Sequence, residues 1–157
     1  MDRILPARRS WLMGLVTSRD TGPERILRRL LSQHGYRYRL HVRDLPGKPD
    51  ILFRSRRRAI FIHGCFWHQH DGCPKGRPPK SREDYWGPKL ARNRKRDAEV
   101  MAQMAELGWS VDIVWQCELR NMAALTERLV GFLGPPPHTE GRATNTALAP
   151  NAPFGVG

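Results

Sequence analysis

Between His63 and Cys73 the chain reads His-Gly-Cys-Phe-Trp-His-Gln-His-Asp-Gly-Cys. Two thiols, three imidazoles and two adjacent large aromatics in so short a segment are more chemistry than packing requires. Cys65, His70 and Cys73 are spaced C-x4-H-x2-C, and Cys117 follows at a distance. Three thiolates with one imidazole form the closed tetrahedral donor set of structural zinc. Such a site would hold a loop that has little apolar material of its own. Without a metal, the same residues are three small buried thiols and a surface histidine. Engaging His70 leaves His63 and His68 for other work, while Asp71 either supports a ligand or solvates the loop.

A second set of residues carries hard oxygen donors. Asp50 follows the turn Leu45-Pro46-Gly47-Lys48-Pro49. It either caps that turn or offers a carboxylate oxygen to Mg²⁺, with the Ile62 backbone carbonyl as a neighbouring ligand. Asn93, Asp97, Val100, Met104 and Leu107 recur at three- and four-residue steps, so two polar groups continue the apolar face of a helix. Facing inward, Asp97 would orient His68 and make it a better base; facing outward, it marks a helix end emerging into solvent. The inward arrangement suits metal-assisted hydrolysis of a phosphodiester, with His68 taking a proton from water. Glu24 and His63 are candidates to complete that centre.

The elements that must position these groups are legible in outline. Asp20 or Thr21 caps a first helix that Gly35 ends. Alternation from Tyr36 to Arg43 predicts a strand, Asp50–Phe53 a second, and Ala59–Ile62 a third that ends at the cluster. A long helix over 89–107, a strand over 111–115 and a helix ending at Leu133 follow. Pro135-Pro136-Pro137 opens a tail through residue 157, and residues 1–20 form a basic arm around Trp11-Leu12-Met13. This order predicts a small α/β sandwich with a mixed sheet.

The full chain has 157 residues, 27 Lys and Arg against 15 Asp and Glu, and a formal charge of +12. A polyanionic partner fits that balance, as does a merely soluble basic protein. Arg54, Arg56, Arg57 and Arg58, with Arg92, Arg94, Lys95 and Arg96, are candidate phosphate contacts or a solvated surface. Three cysteines cannot form a complete set of internal disulfides, and no apolar run has membrane-spanning length, which points to a reducing cytoplasm.

From about Arg9 to Leu133 the sequence resembles the bacterial very short patch repair (Vsr) mismatch endonucleases. The resemblance is carried by Met13, Arg19-Asp20-Thr21 with Glu24, Pro46-Gly47-Lys48-Pro49-Asp50, His63–His70, Asn93 with Asp97, and Val114-Trp115 with Cys117. It implies a single-domain, restriction-endonuclease-like fold over residues 21–134 with a DNA-contacting arm at 1–20, while the Gly-, Pro- and Ala-rich composition of 135–157 predicts a disordered tail. It further implies nicking of duplex DNA on the 5′ side of T in a T·G mismatch left by deamination of 5-methylcytosine. Asp50 and the Ile62 carbonyl would bind catalytic Mg²⁺; His68 and Asp97 would activate water, with His63 and Glu24 in the same centre. Structural zinc would sit on Cys65, His70, Cys73 and Cys117, in a loop one residue longer than the family pattern. Phe66 and Trp67, otherwise readable as core, would form an aromatic wedge in the DNA, joined by Met13 and Asn93. A monomer in the cytoplasm at the nucleoid, working beside mismatch-repair proteins and a cytosine-5 methyltransferase, completes the expectation. The alternatives are a restriction-type nuclease acting on matched DNA and a non-catalytic, zinc-stabilised DNA-binding module.

Overall fold

The computed structural model describes residues 20–137; Met13, the rest of the arm and the tail from residue 138 lie outside them. Helix α1 spans Gly22–Gln33, with Thr21 as its N-cap and Pro23 in its first turn. It ends in a Schellman motif: Gly35 takes φ 82, its N–H meets the Ser32 carbonyl, and Tyr36 N–H meets the Leu31 carbonyl. Leu27, Leu30 and Leu31 form its buried stripe.

Strand β1 (Ile51–Phe53) pairs antiparallel with β2 (Arg58–His63), which pairs in parallel with β3 (Ser110–Trp115). The sheet is therefore mixed, with β2 at its centre. Alternate residues serve two cores. Ile51, Phe53, Ile60 and Val114 meet α1 and the final helix α3 (Met122–Leu133) on one face. Leu52 and Ala59 meet Val42 and Met104 on the other, beneath the long helix α2 (Glu83–Glu106). Each fully buried side chain of this size contributes about 1.5–3 kcal/mol, so the short β1 is held by burial on both faces.

Three expectations are corrected. Tyr36–Arg43 is not a strand; only Arg39 bridges to Leu52. The alternation there reflects burial, since Tyr36 joins one core and Val42 the other, and His41 at φ 54 breaks the extended run between them. Helix α2 begins at Glu83, well before residue 89, and carries Pro88 within its exposed first turns.

The Arg54–Arg58 turn is the third correction. Arg57 donates to the carbonyls of Leu107 and Gly108, and Arg56 to those of Leu133 and Pro135. These guanidinium groups satisfy carbonyls at the C-terminal ends of α2 and α3. Arg54 pairs with Asp44, and Arg58 lies over Phe132. All four have partners within the fold, at the opposite end of β2 from His63. No helix among the described residues is long and apolar enough to cross a membrane.

Candidate active site

The end of β2 brings Asp50 and Ile62 together. Asp50 N–H donates to the Ile60 carbonyl, and its Oδ2 accepts from Ile62 N–H at 2.7 Å. Strand alternation turns the Ile62 carbonyl to the same edge as that of Ile60, just beyond the end of β1. Two hard oxygen donors thus stand side by side. Burial pushes the Asp50 carboxyl up to about 6, opposed by the Ile62 N–H and reinforced by the negative charge of Glu24.

Glu24 itself is 7% exposed, and its oxygens accept from Asp20 N–H, the Thr21 hydroxyl and Arg28. With Asp50 it faces a cavity of about 530 Å³ that Ile62, His63, His68 and Asp97 also line. The crowding of carboxylates and oxygen donors fits a divalent cation, whose charge would offset the burial of Asp50.

That burial has a measurable consequence. The folded-state value of Asp50 lies above its ordinary 3.8, so the protonated form favours the fold, and this contribution is lost as pH rises through about 6. Near pH 7 the ionised group costs about 3 kcal/mol. Asp50→Asn keeps an acceptor for Ile62 N–H, so it should raise the melting temperature of metal-free protein at pH 7 and leave it nearly unchanged at pH 4. Equal melting of the two proteins at pH 7 would contradict this electrostatic account.

In the lining of the same cavity, His68 Nδ1 lies 2.6 Å from Asp97 Oδ2. Asp97 reaches it because Val100 and Met104 point the same face of α2 at the sheet. A carboxylate accepts, so Nδ1 carries the proton and Nε2 is left as the basic atom. The His63 ring stacks on His68 at 3.7 Å and 10°. Burial, with the neighbouring His68, pushes His63 down to about 4, against the opposing pull of Asp97. Burial thus favours the neutral form of the His63 ring. Although His63, His68 and Asp97 place donor atoms within 4.8 Å of one another, parallel rings do not converge their lone pairs on one ion. Their geometry suits proton handling better than chelation.

The second cluster has the opposite character. Cys65, His70, Cys73 and Cys117 place their donor atoms within 4.8 Å. His70 Nδ1 lies 3.8 Å from Cys65 Sγ and 3.3 Å from Cys117 Sγ. Tetrahedral zinc, with bonds of about 2.3 Å to sulfur and about 2.0 Å to nitrogen, has S···N edges of roughly 3.6 Å. The Cys3His set is consistent with a structural zinc site, and Cys117 belongs to it despite its distance in sequence. Burial and the other two thiols push Cys117 up to about 11. Burial also opposes ionisation of Cys73, but the N–H groups of Lys75 and Gly76 and the other thiols bring it below its ordinary value.

The loop closes with Gly76 directly against His70: a Cβ there would be 2.4 Å from the His70 carbonyl oxygen. Asp71 is 91% exposed in its side chain, so it solvates the loop.

Phe66 and Trp67 are half-buried and are joined by residues the sequence reading missed. Trp86 meets Phe66 at 5.2 Å and Trp67 at 5.8 Å, Tyr85 packs on Trp86, and Lys89 Nζ lies over all three rings of Trp67, Tyr85 and Trp86. Their helical spacing was the available signal, missed because the helix was expected only from residue 89. Asn93 Nδ2 donates to the Trp67 carbonyl at 3.1 Å and so ties the aromatic segment to α2. Arg92, Arg94, Lys95 and Arg96 are exposed, and Arg96 reaches the cavity rim with Arg43 and Lys48.

The mixed sheet, the Cys3His cluster and the carboxylate–histidine cavity define a single-domain α/β protein bearing the groups of a hydrolytic centre. A family model described as "DNA mismatch endonuclease Vsr" matches residues 1–75. The Type II nicking enzyme V.XorIIP of Xanthomonas oryzae is 54% identical over 134 residues, covering 85% of this chain and 98% of that protein. V.NmeAIP of Neisseria meningitidis is 40% identical over 128 residues, with 82% and 91% covered. The DNA mismatch endonuclease Vsr of Escherichia coli is 41% identical over 128 residues, with 78% and 81% covered. The chain belongs to the family of Vsr and the type II nicking enzymes.

Proposed function

We propose that the protein is a Mg²⁺-dependent DNA-nicking endonuclease that hydrolyses the phosphodiester on the 5′ side of T in a T·G mismatch, the first step of very short patch repair. The observation that carries this reading is the gathering of two groups in the lining of one cavity, hard oxygens at Asp50 and Ile62 together with the His68–Asp97 pair. The family's named activities supply its direction.

Asp50 and the Ile62 carbonyl would hold the cation. When bound, it supplies Lewis-acid polarisation of the phosphate and compensation for charge developing in the transition state. His68 Nε2 takes a proton from the attacking water while Asp97 holds the ring by Nδ1 and balances the imidazolium that forms. His63 keeps a neutral ring against His68, so the new charge meets no second cation. Glu24, fixed by Thr21 and Arg28, holds negative charge beside Asp50 and completes the cation side. Arg43, Lys48 and Arg96 supply cationic contacts for flanking phosphates, which set register without reading sequence. The cluster of Phe66, Trp67 and Trp86 offers ring faces to a distorted duplex, where lost base stacking is offset and a mismatch is easier to deform. Met13 and Asn93 are proposed to join it. Zinc on Cys65, His70, Cys73 and Cys117 is proposed as structural. Action as a monomer, beside mismatch-repair proteins and a cytosine-5 methyltransferase, belongs to the same proposal.

The test is strand-specific cleavage of matched, T·G and U·G duplexes of one sequence, with and without Mg²⁺. The expected result is a single nick 5′ to the mispaired T that requires Mg²⁺. Equal cleavage of matched DNA would identify a restriction-type nuclease; mismatch binding without any nick would identify a non-catalytic module.

A further inference from the structure

We infer that Trp115 is a positioning residue that couples the Cys3His anchor to the catalytic histidines. The parallel register pairs His63 with Trp115, so both side chains leave the same face of the sheet, towards α2. The indole stacks on His70 at 4.2 Å and 4°, and meets His63 at 5.4 Å and 77°. His63 in turn stacks on His68, whose Nδ1 is held by Asp97. One indole is thus the shared wall between two centres of different chemistry. The order of contact is His70, Trp115, His63, His68, Asp97.

The backbone at this point is independently fixed. Trp115 N–H donates to Glu118 Oε2 at 2.8 Å, and Arg128 holds Glu118 at 3.0 Å while pairing with Asp112. Removing the indole therefore leaves the turn carrying Cys117 tied down by other contacts. What is lost is the surface that sets the tilt of His63. Its Nδ1 is buried with no hydrogen-bond partner among the described residues, so ring contacts rather than hydrogen bonds hold that end of the imidazole. Its other ring partners are Phe61, tilted at 6.2 Å, and His68, stacked at 3.7 Å. A His63 free to tilt carries His68 with it, and a misplacement of about 1 Å in a catalytic group can cost 10²-fold in rate.

The inference rests on the catalytic reading of His68, and its test separates the two. Trp115→Leu keeps apolar volume but removes both ring faces; Trp115→Phe keeps an edge-to-face partner for His63. For each full-length, zinc-loaded variant, four quantities are measured: zinc per chain, affinity for a T·G duplex without Mg²⁺, single-turnover nicking with Mg²⁺, and the histidine ring resonances by ¹H–¹⁵N NMR. Trp115→Leu is expected to keep its zinc and duplex affinity, to shift or broaden the His63 and His68 resonances, and to nick about 10- to 100-fold more slowly. Trp115→Phe should recover most of the rate and show smaller shifts of the same resonances.

Unchanged His63 and His68 resonances in either variant would overturn the positioning role, whatever the activity. So would loss of zinc, duplex affinity and nicking in proportion, because that is the outcome of a merely structural indole. If Trp115→Leu does not fold, the Trp115→Phe resonances decide the matter alone. If the parent chain nicks no duplex, the catalytic reading fails, while the resonances still report whether Trp115 positions the histidines.

Discussion

Alanine at His68 will slow the nicking of a T·G duplex by roughly 10²–10⁴-fold, the range for loss of a general base. The fold should persist, because His68 is half-exposed and its side chain is held by Asp97 at 2.6 Å and by the His63 ring, outside both hydrophobic cores. Asp97→Asn is the more discriminating variant. Its amide can donate to Nδ1, which stabilises the tautomer whose Nε2 already carries a proton and cannot accept one. A loss of up to about 10⁴-fold follows where a histidine base is held in the wrong tautomer. Because the two residues act as one unit, the double variant His68→Ala/Asp97→Asn should nick no more slowly than His68→Ala alone. Single-turnover cleavage is the measurement, with duplex affinity and zinc content confirming an intact protein. Turnover near the parent rate in either single variant would remove His68 from the role of base, and additive losses would show that Asp97 acts elsewhere.

How much of this was legible in the sequence depended on the range of the interaction. Cys65, His70 and Cys73 are ligand-spaced within one loop, so local order was enough. Cys117 was reachable only by reasoning that neighbouring strand ends approach each other, which the β2–β3 register bears out by pairing His63 with Trp115. Asp97 followed from helical period, because Val100 and Met104 fix the direction of their shared face. By contrast, alternation from Tyr36 to Arg43 records which side chains are buried and not whether their backbone finds a partner strand; His41 at φ 54 ends the extended run. Helix α2 starts before residue 89 because its exposed first turns are anchored by Trp86 on Phe66 and Trp67. A start at 89 left Trp86 outside the helix and so outside the aromatic surface. The arginines of the Arg54–Arg58 turn show a further limit: a sequence reports charge, whereas helix-end carbonyls compete with phosphate for the same guanidinium groups.

Stripping zinc will abolish nicking in a way that Mg²⁺ alone cannot reverse, and the reason lies in how little of the loop is buried. Of the residues from Cys65 to Cys73 only Cys65 is fully buried, and the remainder are half-buried or exposed. Backbone hydrogen bonds from His70 to Cys65 and from Cys73 to His70 close the turn, but such bonds contribute only about 1 kcal/mol each in net terms. Zinc on a Cys/His set contributes an apparent 10–16 kcal/mol in small zinc-dependent folds, comparable to the whole stability of an ordinary domain at about 5–15 kcal/mol. His68 lies within the loop, so opening it separates His68 from Asp97 and leaves Asp50 facing an incomplete centre. Chelator-treated protein resupplied with Mg²⁺ should therefore stay inactive, and resupply with Zn²⁺ followed by Mg²⁺ should restore the nick. Cys117→Ser should behave like the stripped protein: zinc content well below one per chain, faster proteolysis between Pro74 and Ser81, and a lower melting temperature, with the α1–β1–α3 core still cooperative. The distinction from Asp50→Asn is then sharp, since that variant is expected to keep its zinc, melt higher and yet fail to nick. Full activity of zinc-free protein in Mg²⁺ alone would show that packing holds the loop, and the Cys3His cluster would lose its proposed role as the anchor of the catalytic histidine.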